Sequence, residues 1–253
     1  MSVADAYTGL VAAVTGGASG LGEAIARELQ SRGAEVYCLD LNEDAVQAPL
    51  HGVHCDVGDD ASVHAAIEAV VAAAGRLDVV VANAGIGAQG DILANSDAEW
   101  LRVLNINVVG SARTVRHAMP HLRESPHGAI VFTTSIAAWA GLQQRVLYSA
   151  SKGAIQAMTL AVAADSLADG VRVNAVAPGT ADTPWVGRLL DAASDPEAER
   201  AALEKRQPSG RLVQPSEVAE AVAYLASPTS GSTNGVVLAV DGGMYSLRPR
   251  PAS

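Results

Sequence analysis

Positive charge is scarce in this chain. Seventeen Lys and Arg stand against 27 Asp and Glu, a formal net charge of −10 at pH 7. A nucleic-acid surface needs a basic stripe, so that class of function is excluded. Any anionic ligand must be held by local positive groups against an unfavourable overall field. Cysteine is nearly absent as well: Cys38 and Cys55 both fall in apolar segments that read as strands. Buried thiols in a reducing compartment are the simpler reading, with a disulfide as the alternative. The opening MSVADAYTGL has neither a basic stretch nor an apolar one, so no secretion signal is read there. No apolar run approaches the ~20 residues of a bilayer span. The expectation is a soluble, cytoplasmic protein without a membrane partner. Aromatics make up only 4% of the 253 residues, and the apolar 49% is mostly Ala, Val and Leu. Such small side chains suit helices packed closely on a parallel sheet, and the length suffices for one large α/β domain.

Apolar runs alternate with helical patterns. LVAAV (10–14), EVYCLD (35–40), GVHCD (52–56), LDVVVANAG (77–85), AIVFTTS (129–135), VRVNAVAPG (171–179) and VVLAVDGG (236–243) read as strands. Helices are expected over 22–33, 61–75 closed by Gly75, 97–123 with Asp97 as N-cap, 148–167, and 216–227 capped by Ser216. This alternation predicts one Rossmann-type domain over 1–253: a doubly wound, parallel, seven-stranded sheet with helices on both faces. Residues 180–214 break the rhythm with Pro, Asp, Arg and Gln, and are expected to form an insertion that covers a substrate. Residues 246–253 read as a loose tail.

The loop TGGASGLG (15–22) follows the first strand and opens the first helix. In a doubly wound sheet that is where backbone N–H groups and a helix N-terminus meet a pyrophosphate. Gly16, Ser19, Gly20, Leu21 and Gly22 are the candidates; glycines for strand–helix packing alone are the alternative. Asp40 ends the second strand, where a carboxylate accepts hydrogen bonds from ribose hydroxyls and repels a 2′-phosphate. With no Arg or Lys after it, the inference is NAD rather than NADP. Farther on, Tyr148 and Lys152 stand one helical turn apart on one face, with Arg145 three residues ahead of the tyrosine. A phenol beside a fixed ammonium is easier to ionise.

TGGASGLG, Asp40, CDV (55–57), NAG (83–85), Asn107, Ser135, YSASK (148–152), Asn174 with PG (178–179) and VDGG (240–243) together resemble the short-chain dehydrogenase/reductase family over nearly the whole chain. The resemblance implies hydride exchange between NAD and a secondary alcohol or ketone. It assigns Asp56 and Val57 to the adenine border and Asn83, Ala84 and Gly85 to the cofactor cleft. Pro178, Gly179 and Thr183 fall near the nicotinamide or phosphates. In the reaction it implies, Tyr148 is acid and base, Ser135 holds the substrate oxygen, Lys152 meets the nicotinamide ribose, and Asn107 holds a relay water. It also implies a homotetramer.

PGTADTP and RQPSGRL further resemble a subgroup acting on small hydroxy acids such as 3-hydroxybutyrate and on 2-keto-3-deoxy sugar acids. There, arginines at the positions of Arg145, Arg188 and Arg206 meet the substrate carboxylate. The alternative is that these arginines pair with acidic residues of the lid. A 3-oxoacyl-thioester reductase and a non-catalytic dinucleotide sensor are the competing functions. His117 and His121, one turn apart, read as a helix face rather than a metal site, and no metal is expected.

Overall fold

Short runs of buried aliphatic residues form seven strands in the computed structural model, which describes residues 5–191, 193 and 195–248. They are β1 (Val11–Thr15), β2 (Glu35–Asp40), β3 (His51–His54), β4 (Val79–Ala82), β5 (Ala129–Thr133), β6 (Arg172–Pro178) and β7 (Val237–Val240). All pair in parallel, in the order β3-β2-β1-β4-β5-β6-β7. The chain winds outward from β1 to β3, then returns across the sheet from β4. The direction of winding therefore reverses between β1 and β4, which opens a crevice at their carboxyl ends.

Side chains alternate between the two faces with the period of a strand. Ala12, Val14, Val79, Val81 and Val131 pack against Ile25 and Leu29 of α1 (Gly20–Ser31) and Val218 and Val222 of α8 (Pro215–Ala226). Val11, Val80, Ile130 and Phe132 face the opposite layer. There they meet Ile67 and Val70 of α2 (Asp60–Ala74), Leu122 of α4 (Gly110–Arg123) and Ile155 of α5 (Val146–Asp165). A central parallel strand buried on both faces has no polar side to show, which is why LDVVVANAG reads as apolar throughout.

Three expectations need correction. The helix expected over 97–123 is interrupted: α3 (Asp97–Leu104) runs into a π-helical turn at Asn105–Val109 before α4 begins. Its N-cap is Ser96, whose hydroxyl accepts from the Glu99 N–H, rather than Asp97. Helix α8 is capped by Gln214 and not by Ser216. Pro215 occupies the first helical position, where its fixed φ suits the turn, and Glu217 reaches back to the Gln214 N–H at 2.8 Å. Cys38 and Cys55 are free and buried.

Within 180–214, α6 (Pro184–Asp191) and α7 (Pro196–Lys205) gather around a small core of Val186, Leu190, Leu203 and Leu212. A bridge between Ala181 and Val213 closes the base of the segment. At the other end, the Leu247 N–H bonds the Gly243 carbonyl at 2.9 Å, and the expected tail beyond residue 248 lies outside the described residues. Among the described residues no helix is long and apolar enough to cross a membrane.

Candidate active site

The crevice at the sheet's switch point is a cavity of about 480 Å³. Every residue given a catalytic, cofactor or substrate role from the sequence lines it except Asn107. Its floor begins where β1 turns into α1. Gly16 adopts φ +68°, a region costly for other residues, and a Cβ on Gly22 would collide with the Gly16 carbonyl oxygen. The turn is tied to β4 by its neighbours. Thr15 Oγ1 accepts from the N–H groups of Asn83 and Ala84, both at 3.0 Å, and Asn83 Nδ2 donates to the Thr15 carbonyl at 3.0 Å. Asp40 sits at the rim: one carboxylate oxygen accepts from the Ala18 N–H and the other from the Asn42 N–H, each at 3.1 Å. Asp56 accepts from the Gly58 N–H at 2.8 Å, while Arg113 donates to the Val57 carbonyl at 3.0 Å. Ser19, Gly20 and Leu21 open α1 toward the cavity, and Thr183 stands across from Gly20.

At the other end, Ser135 follows β5 and its Oγ accepts from the Ala137 N–H at 3.2 Å. Lys152 is 5% exposed and donates from Nζ to the Thr133 carbonyl at 2.9 Å. Burial brings its pKa down from 10.5 to about 8. Nζ lies 5.8 Å from the centroid of the Tyr148 ring. Burial raises the Tyr148 pKa above 10.0, opposed by the Ser135 hydroxyl and by the charge of Arg145. Desolvation disfavours the phenolate more than those neighbours favour it.

Asn107 lies in the π-helical turn and is buried behind the cleft. Its Oδ1 accepts from the Ile86 N–H at 2.8 Å, and its Nδ2 donates to the Ile86 carbonyl and Ser151 Oγ, both at 3.0 Å. The amide thus fastens the NAG loop to α5.

Arg145, Arg188 and Arg206 converge on the cavity wall. Arg145 donates to the Ala88 carbonyl at 3.2 Å, and its guanidinium carbon lies 5.9 Å from the centre of the Trp185 ring. Burial, and then the like charge of Arg206, lower its pKa. Among the described residues none of the three forms an ion pair. Of the acids in and beside this segment, Asp182 and Glu204 pair with Arg200, and Glu217 with Arg211. Likewise His117 pairs with Asp60 and His121 with Glu68.

Three further residues of this region were not singled out from the sequence. Trp185 lines the cavity, and its only signal was its place in the lid of an aromatic-poor chain. Thr133 lines it too, with a buried hydroxyl that has no hydrogen-bond partner among the described residues. Gln207 lies behind the wall and donates to the Arg211 carbonyl at 2.7 Å; its Oε1 is packed against Gly179 without a partner. Neither Thr133 nor Gln207 carries a sequence signal, because only the fold buries them.

The family model described as enoyl-(acyl carrier protein) reductase matches residues 16–245. A cis-4-hydroxycyclohexanecarboxylate dehydrogenase of Sinomonas cyclohexanicum is 43% identical over 249 residues, covering 94% of this chain and 98% of that protein. The L-fucose dehydrogenase of Mus musculus is 36% identical over 250 residues, covering 96% and 91%. Among solved structures, the ligand-free aldohexose dehydrogenase of Thermoplasma acidophilum superposes with a TM-score of 0.93 at 32% identity, over 100% of both chains. The 3-ketoacyl-(acyl-carrier-protein) reductase from Brucella melitensis, complexed with NADH, gives 0.87 at 30% identity, over 94% of this chain and 99% of that one.

Proposed function

The chain belongs to the short-chain dehydrogenase/reductase family and is an oxidoreductase, and on that premise we propose that it transfers hydride between NAD and the secondary alcohol or ketone carbon of a small carboxylate. The observation that carries this reading is the trio Arg145, Arg188 and Arg206: cationic, lining one cavity, and in no ion pair among the described residues. A guanidinium's planar fork matches a carboxylate. The name of the relative from Sinomonas cyclohexanicum, a dehydrogenase of a hydroxy carboxylate, agrees with it.

Members of this family bind a nicotinamide dinucleotide, and the residues of the cleft fit one. The Gly16–Gly22 turn is drawn tight by glycines whose Cβ atoms would strike neighbouring protein atoms, the α1 N-terminus opens onto the cavity, and Asp40 presents acceptors to a ribose. In its oxidised form the dinucleotide supplies, when bound, the hydride acceptor and a positive charge beside the phenol. Tyr148 takes the proton of the substrate hydroxyl as the carbinol carbon gives up hydride, and returns it in the reverse reaction. Ser135 hydrogen-bonds the substrate oxygen, and Lys152 keeps an ammonium behind the tyrosine. Asn107 acts as a positioning residue by fixing Ile86 to α5. Asp40 disfavours a 2′-phosphate, so NADH should bind more tightly than NADPH in a fluorescence titration.

The test is NAD reduction by hydroxy carboxylates against matched neutral alcohols. Equal turnover of the neutral alcohols defeats the arginine reading. The family model's description favours a second reading, reduction of a 3-oxoacyl thioester. Faster NADPH oxidation with acetoacetyl thioesters than NADH oxidation with keto acids would establish it instead. A homotetramer is supported by exposed apolar side chains around α3 to α5: Leu101 (70%), Leu160 (52%) and Leu167 (67%). Light scattering should then give four times the 25.7 kDa chain mass.

A further inference from the structure

We infer that the substrate's carbon body is apolar, with no hydroxyl beyond the one oxidised, and that Trp185 is the side chain that selects it. This rests on the hydroxy-carboxylate reading above and narrows it. Beyond Ser135 and Tyr148, the cavity wall carries Ile86, Ala137, Leu142, Trp185 and Leu189, with the three arginines and the hydroxyls of Thr180 and Thr183 as polar groups of the lid side. The carboxylate and amide side chains that line the cavity, Asp40, Asp56 and Asn83, stand at or just after the ends of β2, β3 and β4 at its dinucleotide end, and Gln89 lines an adjoining pocket shared with Trp185.

A sugar acid brings several hydroxyls, each needing an acceptor as well as a donor. Arginine only donates. Hydroxyls covered by Ile86, Leu142, Trp185 and Leu189 would lose water and find few side-chain acceptors, which penalises them. An aliphatic or alicyclic body loses nothing by the same enclosure.

The placement of Trp185 gives this wall its shape. A Cβ on Gly87 would stand 2.8 Å from Cζ2 of the indole, so the ring lies directly on backbone that carries no side chain. Arg145 is 5.9 Å from the ring centre on the anion-binding side. The indole remains 43% exposed, which leaves apolar surface for a ligand to cover. It thus adjoins both the carboxylate end and the apolar stretch between that end and Tyr148.

The test uses the full chain with NAD and two pairs of acids matched in skeleton. One pair is 4-hydroxycyclohexanecarboxylate and quinate, the other 3-hydroxybutyrate and 2,3,4-trihydroxybutyrate; cyclohexanol is the neutral control. In the pair that is oxidised, kcat/KM should favour the member with one hydroxyl by about 100-fold. Trp185→Ala should raise KM for that acid about tenfold and keep kcat and the NADH Kd, with Trp185→Phe recovering most of the loss. Equal kcat/KM for the polyhydroxylated member overturns the apolar body and leaves the carboxylate reading standing. An unchanged KM in Trp185→Ala overturns the role of the indole. Cyclohexanol oxidised as well as the acids brings down the carboxylate reading, and this inference with it.

Discussion

The two walls of the cleft satisfy their polar groups in opposite ways. On the β1–β4 wall the groups answer one another: Thr15 Oγ1 holds Asn83 and Ala84, Asn83 returns to the Thr15 carbonyl, and Asp40 holds Ala18. On the lid wall, Arg145, Arg188 and Arg206 face the cavity without an ion pair among the described residues, although Arg200 and Arg211 nearby are fully engaged. The first wall is a mould shaped by folding itself. The second is a set of charges in no ion pair among the described residues. Substitutions in the mould should therefore act through shape and reach stability, whereas substitutions of the free arginines should act on the ligand alone.

The largest expected effect lies where the walls meet. Tyr148→Phe keeps the ring and removes the proton acceptor, so kcat should fall roughly 100- to 10,000-fold while NADH titration is unchanged. Retained turnover would move the proton chemistry to another residue. Next comes the mould. Gly22→Ala places a Cβ against the Gly16 carbonyl oxygen, and the turn must shift. Overpacking of this kind costs about 1–3 kcal/mol. Both the melting temperature and NADH affinity should drop together. A variant that melts earlier yet binds NADH normally would show that the turn's shape is not what the dinucleotide reads.

The mould was also the more legible wall. Gly16 and Gly22, Asp40 at the end of β2, and NAG after β4 are signals of backbone geometry, fixed by short-range chain physics, and they stand where the sequence places them. Strand identity was equally open to reading, because β-branched runs such as VVV at 79–81 have no polar face. Helix starts were harder. At α8, Pro215 and Glu217 outweighed the serine at 216, and at α3 Ser96 took the cap from Asp97. The π-helical turn at Asn105–Val109 inserts one extra residue into a helical pattern that periodicity reads as continuous. The amide contacts of Asn107 with Ile86 and Ser151 had no sequence signal, since burial and partners depend on long-range packing. The orphan hydroxyl of Thr133 and the buried Gln207 were illegible for the same reason.

A smaller effect is expected from the lid. Arg206→Ala should raise KM for the carboxylate substrate about tenfold, the scale of one charge-assisted hydrogen bond at a partly solvated site. Stability and NADH affinity should stay unchanged, because the side chain is exposed and makes no ion pair among the described residues. A fall in melting temperature instead would place Arg206 with the structural arginines and erase the contrast between the walls.

The smallest effect sharpens that contrast from the other side, at an arginine that does have its partner. Arg211 bonds both oxygens of Glu217 at 2.7 and 2.8 Å, and together with the Gln214 N–H it draws the Glu217 carboxyl from 4.5 down to about 2. A carboxylate depressed in the folded state adds stability above its unfolded pKa and loses it as pH falls through the folded value. The side chain is 40% exposed, so solvent screens much of the pairing. Glu217→Gln should therefore cost about 1 kcal/mol, the scale of a helix cap, and roughly 2–4 °C in Tm at pH 7. The gap between the two proteins should narrow as the pH is lowered from 5 toward 3, because the unfolded wild-type carboxyl, near 4.5, takes up its proton there while the folded one, near 2, still does not. KM should not move at any pH. A gap that stays constant with pH would assign the cap to neutral hydrogen bonding. A shift in KM would mean that the ion pair at the lid's base reaches the ligand, and that paired and unpaired arginines are not separate in function.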